Sequence, residues 1–131
     1  MSKVEKFRGY SVLIAEDSPD SRALLIMFLE ELGFTVYWDD CGERAFHRLS
    51  HQTVDLVISD IQMPNGDGLW LLNRLRHSDN QTPVILISGG VMVTGEEVQL
   101  LRANGFLQKP FKRGELLALI ENVLLKKRVY A

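Results

Sequence analysis

The chain has 131 residues, a formal charge of −2 and 46% hydrophobic side chains, an ordinary globular level that excludes disorder. Its one cysteine, Cys41, excludes an internal disulfide and with it a disulfide-held miniature fold, and favours a reducing compartment. The near-neutral balance argues against nucleic-acid binding by whole-surface charge. The longest apolar run, Ala23 to Leu29, is far short of the roughly 20 residues a membrane span needs, and the first nine residues hold no apolar stretch of signal-peptide type. A cytoplasmic protein with no membrane contact is expected, and no repeat or linker marks an internal boundary.

Two periodicities alternate along the chain, which is the pattern of repeated β/α units. Val12 to Ala15 reads as the first strand. Ser18-Pro19 then predicts an N-cap and first helical residue, with Leu25, Leu29 and Leu32 on one face and Gly33 as the stop. Phe34 to Trp38 reads as the second strand, and a helix from about Gly42 to Gln52 follows with Ala45 and Leu49 inward. Val54 to Ser59 reads as the third strand. The helix after it runs from about Gly68 to His77, with Leu69, Leu72 and Arg76 on one side and Leu71 and Leu75 on another. Val84 to Ser88 reads as the fourth strand, and Thr94-Gly95-Glu96-Glu97 fits a capping box opening a helix with Val98 and Leu101, closed by Gly105. Phe106 to Gln108 is a brief fifth strand, and a last helix from about Lys112 to Lys127 buries Leu116, Ile120 and Val123. The first, third and fourth strands are apolar at successive positions, as parallel strands covered on both faces are. The prediction is an α/β fold, a doubly wound five-stranded parallel sheet with five helices on its two faces.

Ligands of such a sheet bind beyond the carboxyl ends of its strands. Four strand ends carry polar chemistry: Glu16-Asp17, Asp60, Ser88, and Lys109-Pro110. Crowded carboxylates repel, and a hard divalent cation relieves them. Mg2+ suits this oxygen-only set better than zinc, which would need Cys and His at ligand spacing. With the metal present, an aspartate can attack a phosphoryl group, and Lys109 and Ser88 can bind the phosphoryl oxygens. Taken singly, each residue has a plainer reading as a helix-end charge, turn, strand-end hydroxyl or surface lysine. What favours chemistry is that all of them fall at one sheet edge.

The same residues resemble a known family. Glu16-Asp17, the stretch Asp60-Ile61-Gln62-Met63-Pro64-Asn65-Gly66-Asp67-Gly68, Ser88, and Phe106-Leu107-Gln108-Lys109-Pro110-Phe111 are similar to the motifs of response regulator receiver domains of two-component systems. Gly42-Glu43-Arg44-Ala45 fits as well, and the resemblance covers Tyr10 to about Leu125. It implies a flavodoxin-like sheet of order 2-1-3-4-5 and a phosphorylation-controlled switch rather than a metabolic enzyme. Asp60 would be the phosphoacceptor. Mg2+ would be held by Asp17, by Asp60, by Glu16 mainly through water, and by the backbone carbonyl of Gln62. Lys109 would bind phosphate, with a cis bond to Pro110; Ser88 and Phe106 would be the switch residues. The phosphoryl donor would be a sensor histidine kinase or histidine phosphotransfer protein. The switched surface of the fourth helix, fifth strand and fifth helix would control a downstream protein or a fused output domain, with no direct nucleic-acid contact and room for a phosphorylation-dependent homodimer. The organisation expected is an N-terminal extension 1–9, a receiver domain 10–126 and a C-terminal tail 127–131.

Two departures stand out. Gly89-Gly90 follows Ser88 where the family usually has a small Ala, so position 90 offers no side chain to steer a hydrolytic water. The switch ring is Phe106 rather than Tyr, so it carries no hydroxyl. The main rival is a Mg2+-dependent phosphohydrolase with an aspartyl-phosphate intermediate, but Asp60 is followed by Ile61-Gln62 and not by an acid/base Asp two residues on. A flavodoxin-type carrier would need a Ser/Thr/Gly loop where Glu16 and Asp17 stand, and these would repel a flavin phosphate. His47 and His51 are expected to be solvated, and Trp38 and Trp70 to be packing residues.

Overall fold

The computed structural model describes residues 5–90 and 102–125. They form β1 (Ser11–Ala15), α1 (Pro19–Glu31), β2 (Thr35–Asp39), α2 (Gly42–Leu49), β3 (Leu56–Asp60), α3 (Gly68–His77), β4 (Val84–Ser88), β5 (Gly105–Gln108) and α4 (Arg113–Leu124). The strands make one parallel sheet in the order β2-β1-β3-β4-β5, the doubly wound arrangement expected. Four helices lie among the described residues, against five expected. The helix anticipated from Thr94 lies outside the described residues, as does the basic stretch Lys126-Lys127-Arg128.

Successive strand residues point to opposite faces, so a continuous apolar run serves two cores at once. Val12 and Ile14 of β1 pack with Leu25 and Leu29 of α1 and with Leu116 and Ile120 of α4. Leu13 and Ala15 face the other way, onto Ala45 and Leu49 of α2 and Leu71, Leu72 and Leu75 of α3. The sheet is therefore a filled middle layer. Its rows are locked in register, with Ile14 opposite both Trp38 and Ile58, and Ser88 opposite Gln108.

The helix starts follow their sequence signals. Ser18 accepts the N–H of Ser21 ahead of Pro19, and Asp67 accepts that of Trp70 at 2.8 Å. Several boundaries differ from expectation: β1 begins at Ser11, β2 spans Thr35–Asp39, α4 begins at Arg113, and β5 begins at Gly105, which was expected to close the preceding helix. Helix α2 stops at Leu49 rather than Gln52, because the N–H groups of His51 and Gln52 both turn onto the Arg48 carbonyl and the Ser50 hydroxyl takes the Phe46 carbonyl. Strand β3 begins at Leu56 rather than Val54: ahead of the paired residues, Asp55 holds Ser11 through its carboxylate, which accepts the Ser11 N–H at 2.8 Å, and through its own N–H, which donates to the Ser11 carbonyl at 3.0 Å. Its far end runs on to include Asp60.

Two side chains do more packing work than their sequence positions suggest. Arg76 is buried, and its guanidinium donates to the carbonyls of Asn80, Thr82 and Arg102 and to the Asn104 Oδ1, tying α3 to the start of β5. Phe7, in a segment read from sequence only as a lead, is fully buried. It stacks on Phe34 at 4.8 Å between centroids and meets Tyr10 edge-on at 5.5 Å. Truncating such a ring leaves a cavity the surroundings fill only in part. Phe7→Ala is therefore expected to cost about 3–5 kcal/mol, seen as a lower denaturant midpoint at unchanged slope; an unchanged midpoint would contradict the burial.

Candidate functional site

The strand order reverses between β1 and β3, and the residues beyond their carboxyl ends lie at that switch point. Glu16, Asp17 and Asp60 each place a carboxylate oxygen within 4.8 Å of the others. Glu16 is 2% exposed and Asp60 8%, while Asp17 is exposed. Lys109, one residue past β5, sends its ammonium to Asp60 Oδ2 at 3.1 Å and to Glu16 Oε1 at 3.5 Å. The Gln62 N–H donates to Asp60 Oδ1 at 3.0 Å, so both oxygens of Asp60 are held. Glu16 Oε2 accepts the N–H of Ser18 at 3.1 Å.

The backbone supports this edge closely. The Lys109 N–H donates to the Ser88 carbonyl at 2.7 Å, and the Lys109-Pro110 peptide is cis, as anticipated. After Asp60 the chain folds back so that the Gly68 N–H reaches the Ile61 carbonyl at 2.8 Å. A Cβ at Gly68 would lie 2.4 Å from the Asp60 carbonyl oxygen, so glycine alone fits this approach. The buried Ser59 hydroxyl donates to that same carbonyl at 2.9 Å, a contact no sequence signal announced.

The electrostatics follow from burial and a shortage of positive charge. Desolvation lifts the Glu16 pKa above the ordinary glutamate value, with Asp60 pushing the same way and the Ser18 N–H and Lys109 pulling against it. Burial works against the Lys109 ammonium. Its hydrogen bond to Asp60 and the charges of Glu16 and Asp60 outweigh that, and its pKa lies above the ordinary lysine value.

Of the residues singled out from sequence, Glu16, Asp17, Asp60, Gln62 and Lys109 are brought together by these contacts. Ser88 is buried at the end of β4, next to the strand of Asp60. Phe106 is half-buried opposite Leu86 and packs on the α2/α3 side of the sheet. Arg22, which no sequence signal marks for this edge, donates from its guanidinium to the Glu16 carbonyl at 3.0 Å. Trp38 is 44% exposed and lies under the Arg22 guanidinium, 3.9 Å from its ring centroid.

The sheet order and this acidic edge with its lysine define a flavodoxin-like receiver fold. The chain belongs to the response regulator receiver domain family, whose model matches residues 12–121. It is 37% identical over 110 residues to the transcription factor Skn7 of Saccharomyces cerevisiae, covering 83% of this chain and 18% of that protein. It is 34% identical over 117 residues to the transcriptional activator protein IrlR of Burkholderia pseudomallei, covering 86% of this chain and 49% of that one. The chain thus spans about half or less of these relatives' length. Among solved structures, the receiver domain of a signal transduction histidine kinase from Syntrophus aciditrophicus matches with TM-score 0.80 and 32% identity over 92% of this chain and 93% of that one. The receiver domain of a sensor histidine kinase from Pseudomonas aeruginosa matches with TM-score 0.79 and 25% identity over 88% and 97%, and carries a magnesium ion in its active site cleft.

Because the Glu16 pKa is raised on folding, the metal-free native state binds more protons there than the unfolded chain above the ordinary value of 4.5. That contribution to stability is full at low pH and is lost as pH rises through the folded pKa. Glu16→Gln should remove this loss and raise the metal-free unfolding midpoint at neutral pH. A midpoint below that of wild type there would contradict the burial argument.

Proposed function

We propose that the chain is a phosphorylation-controlled switch that accepts a phosphoryl group on Asp60 with Mg2+ at the adjoining carboxylates. The observation that carries this is the buried Asp60 carboxylate, held by Lys109 and Gln62 beside two further carboxylates. The donor set is all oxygen, which fits Mg2+: Asp17 and Asp60 would bind directly, Glu16 through water, and Gln62 through its carbonyl. When bound, the ion offsets the charge of the carboxylates and of the incoming phosphoryl oxygens.

In the transfer, a carboxylate oxygen of Asp60 forms a bond to phosphorus as the donor's nitrogen–phosphorus bond breaks, and the imidazole leaves with that electron pair. The Lys109 ammonium, 3.1 Å from Asp60 Oδ2, exchanges its carboxylate contact for a phosphoryl oxygen. Ser88 binds a second oxygen, and Phe106 turns inward behind it. The surface that changes comprises β5, α4 and the helix expected from Thr94, which lies outside the described residues, and it addresses a downstream protein or an output domain in the same polypeptide. Position 90 carries no side chain, and a Cβ there would lie 3.1 Å from Gln62 Oε1. Of these two positions only Gln62 has a side chain that could steer a hydrolytic water, which supports slow hydrolysis of the acyl phosphate.

The donor is a protein carrying a phosphohistidine on a helix, a sensor kinase or phosphotransfer protein. Helix α1 exposes Leu24 and Met27 beside a groove lined by Phe28 and Phe111 that runs to Gly89 and Lys109 at the site. An apolar helix face seated there would deliver its imidazole to Asp60.

Incubation with Mg2+ and acetyl phosphate should give a single phosphoryl adduct by intact mass, absent in Asp60→Ala and persisting well beyond seconds. No adduct on a folded, Mg2+-binding protein would overturn the reading. Met27→Asp should leave labelling by acetyl phosphate unchanged while slowing transfer from a phosphohistidine protein about tenfold or more, the cost of a lost interface anchor. Equal rates with the protein donor would remove α1 from the docking face.

A further inference from the structure

The stack of Arg22 on Trp38 has no part in the core and lies at the edge that carries Glu16 and Asp17. Trp38, near the end of β2, is 44% exposed and keeps part of its ring at the surface. Its face is covered by the guanidinium of Arg22, 3.9 Å from the ring centroid, within the range of a cation–π contact. From that seat, Arg22 Nη1 donates to the Glu16 carbonyl at 3.0 Å. The other side of the same residue is also held, since the Glu16 N–H donates to the Asp39 carbonyl at 3.1 Å. Asp39 and Trp38 are themselves fixed to α2: Arg48 reaches the Asp39 carboxylate at 2.7 and 3.3 Å and the Trp38 carbonyl at 3.3 Å.

We infer that Arg22 and Trp38 are positioning residues for the cation: together they clamp the Glu16-Asp17 segment in the conformation that points its carboxylates at Asp60. Like charges at Glu16, Asp17 and Asp60 push this segment outward. The link from β1 to α1 is short, so a guanidinium anchored on a ring of β2 opposes that push at the peptide itself. Trp38 limits where Arg22 can go, and Arg22 limits where the Glu16 carbonyl can go. Simple electrostatics predicts the opposite of a clamp, because a nearby positive charge repels a divalent cation. The two roles are therefore separable by experiment. Groups that hold ligands in place, without touching the metal, are typically worth about 10–100-fold in metal affinity.

This inference rests on the Mg2+ reading above. The test is calorimetric titration with Mg2+ of wild type, Trp38→Ala, Trp38→Phe, Arg22→Lys and Arg22→Gln, each paired with a thermal midpoint in excess chelator. Trp38→Ala keeps every charge and is expected to bind Mg2+ about tenfold or more weakly at a near wild-type metal-free midpoint, with Trp38→Phe recovering most of the loss. Arg22→Lys keeps the charge but not the planar fork, and is expected to weaken binding too. Wild-type affinity in both Trp38→Ala and Arg22→Lys would overturn the clamp. So would tighter binding by Arg22→Gln with Arg22→Lys unchanged, or a loss of affinity matched by an equal loss of metal-free stability. Absence of Mg2+ binding in wild type would instead remove the functional reading, and the clamp with it.

Discussion

Two carboxylates, Glu16 and Asp60, are buried at one sheet edge and, among the described residues, are paired with one ammonium, that of Lys109, with the exposed Asp17 beside them. Removing carboxylates from water is costly unless charge and hydrogen bonds compensate. Here the compensation is partial. The Gln62 and Ser18 N–H groups and one lysine serve the two buried groups, and burial still holds the Glu16 pKa above its ordinary value. An edge built this way is poised to bind positive charge and to accept a group that rearranges the contacts of Lys109. A fully neutralised cluster would have little reason to change.

The rest of the fold keeps that imbalance from relaxing. Continuous apolar strands fill both layers, so the sheet edge cannot slide, and register places Asp60 beside the end of β4. The Asp60 loop is drawn tight where Gly68 meets the Asp60 carbonyl, and Ser59 occupies the same oxygen. On the other flank, Glu16 is bound to β2 through its N–H and to Arg22 through its carbonyl. Repulsion that would open a looser loop is retained here because each strand end is tied to its neighbour.

Much of this was legible in the sequence, and the reason is local. Runs such as Val84 to Ser88 and stretches such as Gly68 to His77 report their own period, and both strand and helix form at those bounds. Acidic and basic residues just after strands are visible as such, and a parallel sheet must gather them. Relations between distant side chains left no such trace. Arg22 and Trp38 belong to different elements, and neither periodicity nor turn chemistry says that one lies over the other. Phe7 precedes the first strand in a polar stretch, and only the closing of the sheet on Phe34 reveals its place. Arg76 shares a helical side with Leu69 and Leu72, yet it is buried by carbonyls that the turn near Asn80 and the start of β5 supply.

This edge is expected to carry uncompensated negative charge that a divalent cation relieves. Thermal unfolding of the wild-type chain at neutral pH over a series of Mg2+ concentrations, at constant ionic strength, measures that directly. A ligand bound only by the folded state stabilises it by about 2.7 kcal/mol at a hundredfold excess over its Kd. The prediction is a saturable rise of the midpoint with Mg2+ that NaCl at equal ionic strength does not reproduce. A midpoint that does not move with Mg2+, or moves equally with NaCl, would contradict it.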